Sequence, residues 1–195
     1  MGIIGLGKMG LPMARHLRKR GFAVTAHDVN PAACKQAESL GVVIAENARA
    51  VAAASDFVIV VVGFDSEAER VATGADGIAA AARPGLIVGI ASTIAPRTML
   101  KLGRHLAGTG IALIDMPLTR GEPAAEAGTM LVMVGGDADV YAACKPAMES
   151  FASDIFHVGD LGAGQVGKIA GSQEIRGRKS GADDGGYSGE RGNRH

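Results

Sequence analysis

A chain of 195 residues with 47% apolar content, and with 20 basic residues balanced by 20 acidic ones, can build one sizeable domain and carries no net charge. That balance gives nucleic-acid binding no electrostatic support, and no apolar run is long enough to span a bilayer. Cys34 and Cys144 lie far apart without metal-ligand spacing, so no metal is expected, a reducing cytoplasm is the simplest compartment, and no leader is read before the first strand.

The first twenty residues hold the most specific pattern in the chain. Ile3 and Ile4 form an apolar run ending in Gly5, with Gly7 and Gly10 behind it, and Leu11, Met13, Ala14, Leu17 and Arg18 fall at roughly helical spacing. This predicts strand, glycine turn and helix. Gly5 permits a sharp turn, Gly7 lets a phosphate approach bare backbone, and Gly10 lets the helix pack close to the strand. The amides opening that helix carry partial positive charge, which suits a pyrophosphate. A second apolar strand, Phe22 to Ala26, leads to Asp28, the acid expected about twenty residues on. Its carboxylate can accept hydrogen bonds from both ribose hydroxyls and would repel a 2′-phosphate, so NAD is expected over NADP. The whole turn, Gly5, Leu6, Gly7, Lys8, Met9 and Gly10, is therefore assigned with Asp28 to a dinucleotide. The plainer alternatives are a turn that binds nothing and an Asp28 that caps the helix begun at Pro31. Core packing would explain Met9 equally well.

Further along, Pro31 to Leu40 reads as a helix and Val42 to Ala45 as a short strand, after which Asn47 can cap a helix running to Ala54. Phe57 to Val62 is an unbroken apolar run, as in a strand buried on both faces; its end places Val62 and Gly63 against the cofactor. Ser66 to Val71 and Gly77 to Ala82 are helical pieces. Leu86 to Ala91 is another buried strand, with Ser92 and Thr93 at its carboxyl end. Thr93 is a candidate nicotinamide neighbour, or simply a cap for the helix from Pro96 through Leu106. Strands alternating with helices predict an α/β doubly wound, mostly parallel Rossmann sheet with helices on both faces and its ligand at the carboxyl ends of the strands.

Ile111 to Asp115 is the next strand, and Asp115 is expected to order the following loop, Met116 to Pro123, through local hydrogen bonds. A helical turn to Ala127, a strand from Met130 to Val134 and a helix from Ala138 to Phe151 follow, with Pro146 interrupting or restarting the helix. Ile155 to Val158 is a last short strand, and Gln165 to Ala170 begins another helix. Beyond Gly171, glycine and charge dominate and disorder is expected. Residues 1–170 are thus read as one dinucleotide-binding domain. Residues 171–195 are read as a disordered or aberrant tail that suggests a frameshift, a truncation or an artificial end.

Four stretches resemble the β-hydroxyacid dehydrogenases, the family of 3-hydroxyisobutyrate dehydrogenase, tartronate semialdehyde reductase and 6-phosphogluconate dehydrogenase. Gly5 to Ala14 resembles the family's cofactor signature and Ala91 to Pro96 its nicotinamide-side strand end. Asp115 to Gly136 resembles its substrate loop, and Gly162 to Lys168 the segment carrying its catalytic lysine. The sequence HDVNP, His27 to Pro31, is most similar to the 3-hydroxyisobutyrate branch. The resemblance implies hydride transfer between NAD and a small hydroxy acid, with Lys168 as proton donor and acceptor. Thr119 and the amide of Gly121 would hold the substrate carboxylate. Taken alone, Lys168 is a solvated helix lysine and Thr119 with Gly121 a plain turn.

Three departures qualify this. The loop usually reads Ser-Gly-Gly and here is Thr119-Arg120-Gly121, so Arg120 either grips an acid directly or forms a surface ion pair. Ser172 stands where the family carries an Asn. The family's following all-helical domain, which forms its dimer, is missing. The expected enzyme is therefore an NAD-dependent 3-hydroxyacid dehydrogenase impaired as written. The alternatives are a non-catalytic NAD-binding module and a 6-phosphogluconate dehydrogenase-like enzyme, the latter wanting more basic residues than Arg120.

Overall fold

Six short strands form the parallel body of the sheet: β1 (Gly2–Ile4), β2 (Thr25–His27), β3 (Val43–Ile44), β4 (Phe57–Val60), β5 (Ile87–Ile90) and β6 (Ala112–Asp115). The computed structural model describes residues 1–171; of the tail expected to be disordered, Gly171 is helical and the rest, from Ser172, lies outside the described residues. The strands run in the spatial order β3-β2-β1-β4-β5-β6. Chain order reverses between β1 and β4, and there the carboxyl ends of the strands leave a crevice. Alternate side chains explain the two covered faces. Phe57 and Ile59 of β4 join one buried core with Ile3, while Val58 and Val60 join another with Ile4. A strand buried on both sides needs apolar residues at every position, hence its unbroken run.

The connecting helices are α1 (Gly10–Lys19), α2 (Pro31–Glu38), α3 (Ala48–Ala53), α4 (Asp65–Thr73) and α5 (Pro96–Leu106), with a 3-10 turn at Ile78–Ala81. In α1, buried Met13, Ala14 and Leu17 share one face; in α5, Thr98, Met99, Leu102 and Leu106 do so. Asn47 caps α3 as expected, accepting from the Ala50 amide at 2.9 Å. Among the described residues no helix is long and apolar enough to cross a membrane.

After β6 the sheet changes direction. Strand β7 (Leu118–Thr119), helix α6 (Gly121–Ala127) and strand β8 (Met130–Gly135) follow, and β8 runs antiparallel to both β6 and β7. Helix α7 (Ala138–Met148) then returns the chain to β9 (Ala152–Gly159), parallel to β8. Helix α8 occupies residues 163–171. Four details differ from the sequence reading. The expected strand to Val62 leaves the ladder after Val60, because the Val62 amide turns to the Ser92 hydroxyl at 2.7 Å. Thr119 lies in a strand rather than a loop. Pro146 sits inside an unbroken α7, within its last turn, where Cys144, Ala147 and Met148 are buried around it. The last strand has eight residues, longer than expected because much of it is exposed and lacks an apolar signature.

Candidate functional site

The glycine turn is backbone packed on backbone. Gly5 has φ +98°, and a Cβ there would lie 1.9 Å from the Val61 carbonyl oxygen; at Gly10 a Cβ would lie 1.9 Å from the Gly5 oxygen. Gly7 differs, for a Cβ there would meet nothing within 4 Å. Gly5 and Gly7 line a cleft of about 590 Å³ together with Asp28, Val62 and Gly63. Five of the residues assigned to the cofactor are thus brought to one crevice, at the sheet's reversal point.

Asp28 is held there by two backbone amides. Its Oδ2 accepts from Leu6 N at 2.5 Å and its Oδ1 from Asn30 N at 2.7 Å. It does not cap α2: Asn30 does, accepting from the Ala32 amide at 3.0 Å. Each carboxylate oxygen keeps acceptor capacity toward the cleft. Cys34 lies beneath, its thiol donating to the Asp28 carbonyl at 3.4 Å. The Leu6 side chain is buried in the core and only its amide serves the turn. Lys8 is exposed and pairs with Glu122 of α6 at 3.0 Å, while half-buried Met9 packs on the core.

A second group of residues stitches the neighbouring strand ends together. Asp115, at the end of β6, is fully buried; its Oδ1 accepts from Gly162 N at 2.6 Å and its Oδ2 from Gln165 N at 2.7 Å. These partners lie 47 and 50 residues away, so Asp115 orders the start of α8 and not its own loop. Burial pushes its carboxyl above the usual range, although the amide donors pull the other way. Gly162 has φ +96°, and a Cβ on Gly164 would lie 2.4 Å from the Met133 oxygen and 2.7 Å from Asp115 Oδ2. The two glycines are what let α8 start against this carboxylate.

Gln165 is fully buried too, and the sequence reading passed over it. Its Nε2 donates to Ser92 O at 2.8 Å and its Oε1 accepts from Ile94 N at 3.1 Å. Ser92 in turn accepts the Val62 amide at the cleft. Three residues on from Gln165, Lys168 is half-buried, and loss of water lowers its ammonium pKa below the ordinary lysine value. Thr93 is exposed beside this network, and α5 opens at Ala95 without a side-chain cap.

The expected substrate loop is partly tied down. The Thr119 hydroxyl donates to Leu131 O at 3.4 Å. Arg120 adopts a left-handed backbone with φ 76°, followed by Gly121 at φ 68°. Its guanidinium bonds Thr129 O at 3.0 Å, Ser153 Oγ at 2.9 Å and Asp154 Oδ2 at 2.6 Å. Of the two roles weighed for Arg120, this structure displays the ion pair. His16, His27 and His157 meet backbone carbonyls between 2.7 and 3.1 Å, as structural histidines do. Cys144 is buried, its thiol pushed up to about 12 by desolvation.

Most of the chain is similar to known proteins. Residues 1–159 match the family described as the NAD binding domain of 6-phosphogluconate dehydrogenase. The chain is 37% identical over 169 residues to 2-(hydroxymethyl)glutarate dehydrogenase of Eubacterium barkeri, covering 87% of this chain and 56% of that protein. It is 38% identical over 171 residues to 3-hydroxyisobutyrate dehydrogenase of Pseudomonas aeruginosa, covering 87% and 57%. A solved structure of Mycobacterium tuberculosis 3-hydroxyisobutyrate dehydrogenase with L-serine superposes with a TM-score of 0.85 at 31% identity, covering 89% of this chain and 59% of that one. The chain therefore spans little more than half the length of the relatives it matches.

Proposed function

The chain belongs to the β-hydroxyacid dehydrogenase family, as its NAD-binding domain, and we propose that it holds NAD in the 590 Å³ cleft for dehydrogenation of a small 3-hydroxy acid. The observation that carries the reading is Asp28, fixed by the Leu6 amide in the same crevice as bare Gly5 and Gly7. The residues present fit the dinucleotide. Open space at Gly7 admits a diphosphate to the backbone, and the free acceptor capacity of Asp28 suits two ribose hydroxyls. A 2′-phosphate would meet the same negative charge, which favours NAD over NADP.

When bound, NAD supplies a hydride acceptor at its nicotinamide ring. The chain's own residues do the rest. Lys168, with its charged form disfavoured by burial, takes the proton from the substrate hydroxyl and returns it in the reverse direction. Thr119 and the Gly121 amide would hold the carboxylate, and Thr93, exposed at its strand end, would face the nicotinamide when the cofactor is bound. The substrates in the relatives' names support the class: 2-(hydroxymethyl)glutarate, 3-hydroxyisobutyrate and L-serine all carry a primary alcohol on the carbon next to the one bearing a carboxylate. A 6-phosphogluconate-like reading has less support, since Arg120 is engaged by Asp154.

Titration of the purified polypeptide with NADH, followed by fluorescence, tests the cofactor site. Saturable binding is expected, with NADPH weaker, and Asp28→Asn should weaken NADH about tenfold, or about 1.4 kcal/mol, while narrowing the gap to NADPH. Absence of binding in a folded sample rejects the proposal. Binding without turnover of 3-hydroxyisobutyrate would assign this polypeptide the cofactor-binding step alone.

A further inference from the structure

We propose that Gln165 is the positioning residue for Lys168, clasping α8 to the strand ends that also shape the cofactor cleft. The inference rests on the proton-transfer role given to Lys168 above. Its basis is the geometry of one buried side chain. A fully buried glutamine is costly unless its donor and acceptor are both satisfied. Here they are satisfied by a single loop: Nε2 donates to Ser92 O at 2.8 Å and Oε1 accepts from Ile94 N at 3.1 Å. Those two backbone groups flank Thr93, so the amide spans the strand end assigned to the nicotinamide.

The same residue ties in a third element. The Gln165 backbone amide reaches Asp115 Oδ2 at 2.7 Å, so strand ends β5 and β6 both hold it. Ser92 then continues the chain of contacts, its hydroxyl accepting the Val62 amide at 2.7 Å, where the cleft begins. Lys168 lies three residues beyond Gln165, close to one helical turn. Rotation or retreat of α8 would therefore move Lys168 relative to Thr93 and the cleft. Gln165 is the side chain of α8 shown to oppose that movement at the β5 end, and Asp115 is the charged group holding the start of the helix.

The proposal makes Gln165 responsible for the half-buried setting of Lys168, which NMR reads directly. The chain is labelled with 13C and 15N lysine, and the Lys168 ammonium is titrated in the wild type, in Gln165→Met and in Gln165→Asn. Gln165→Met keeps the length and removes both hydrogen bonds; Gln165→Asn keeps the amide but cannot reach both partners. Val166→Ala, at an exposed neighbour on the same helix, is the control. The expected result is a Lys168 midpoint that rises by about one pH unit in either Gln165 variant, as the helix loosens and water reaches the amine, and stays put in the control. An unchanged midpoint in a folded Gln165 variant overturns the proposal. Unfolding of both Gln165 variants with the control intact overturns it too, since Gln165 would then be structural alone. A wild-type Lys168 that titrates like an ordinary lysine overturns the proton-transfer role itself, and is distinguishable because it requires no variant.

Discussion

The two ends of the site are built in different ways. Around the cleft between β1 and β4, backbone meets backbone: Gly5 and Gly10 leave no room for a Cβ, and Asp28 braces the turn from 22 residues beyond Leu6. Where β5 and β6 meet α8, buried side chains cross long distances instead. Asp115 and Gln165 reach partners between 47 and 73 residues away, with glycines making space for them. The glycines of the first region stand in one short motif, whereas no stretch of sequence pairs the members of the second. A diphosphate needs bare amides, which the backbone supplies unaided. A proton-transferring amine needs a fixed and partly dry position, which takes tertiary packing.

The sharpest way to break this comparison is to add one methyl group at each of two glycines. Gly5→Ala should destabilise the chain by at least about 3 kcal/mol, because the new carbon would overlap the Val61 oxygen at a left-handed φ. Gly7→Ala should leave stability within about 0.5 kcal/mol and weaken NADH binding instead. Urea denaturation and NADH titration of both variants decide the matter; a normally stable Gly5→Ala would contradict the packed turn.

Asp115→Ala is next in size, with an expected loss of about 2–3 kcal/mol, since two amides would lose their buried acceptor. Its pH dependence carries a definite sign. With the folded carboxyl raised by burial, the folded chain keeps, only in the interval between the two carboxyl values, a proton that the unfolded chain has lost. The stability this group contributes is complete below the unfolded carboxylate value and declines as pH rises through the raised one. Denaturation of the wild type and Asp115→Asn from about pH 4 upward should show the wild-type advantage shrinking. A constant difference would argue against a raised carboxyl.

The smallest effect is expected at Arg120. Its left-handed backbone favours glycine, and its ion pair with Asp154 is exposed. Arg120→Gly should stay within about 0.5 kcal/mol of the wild type, and Arg120→Ala should cost about 1 kcal/mol more than the glycine variant. Equal melting behaviour of the two would remove backbone strain from the account.

Much of the molecule could be read from the chain because its signals are local. Of the apolar run expected to reach Val62, Phe57–Val60 is buried throughout, while Asn47 caps α3 and the glycine turn shares one crevice with Asp28, both as expected. The failures share a physical reason. Asp115 and Gln165 have no neighbour in sequence that reveals their partners, so the sequence suggests a local role for one and none for the other. The strand ending at Gly159 is longer than its sequence suggests because its exposed positions carry no apolar alternation. Arg120 replaces a glycine in the loop pattern of its family, and only the backbone angle explains why glycine is usual there.

The two thiols of the molecule are unequal. Cys144 is sealed in the core with its proton firmly held, whereas Cys34 lies half-buried with its sulfur against the carbonyl of Asp28. Of the two, Cys34 is the one less shielded from a thiol reagent, and its sulfur touches the backbone of the residue proposed to hold the adenosine sugar. The chain carries its own occupancy gauge: a dye attached at Cys34 would sense whether that seat is filled.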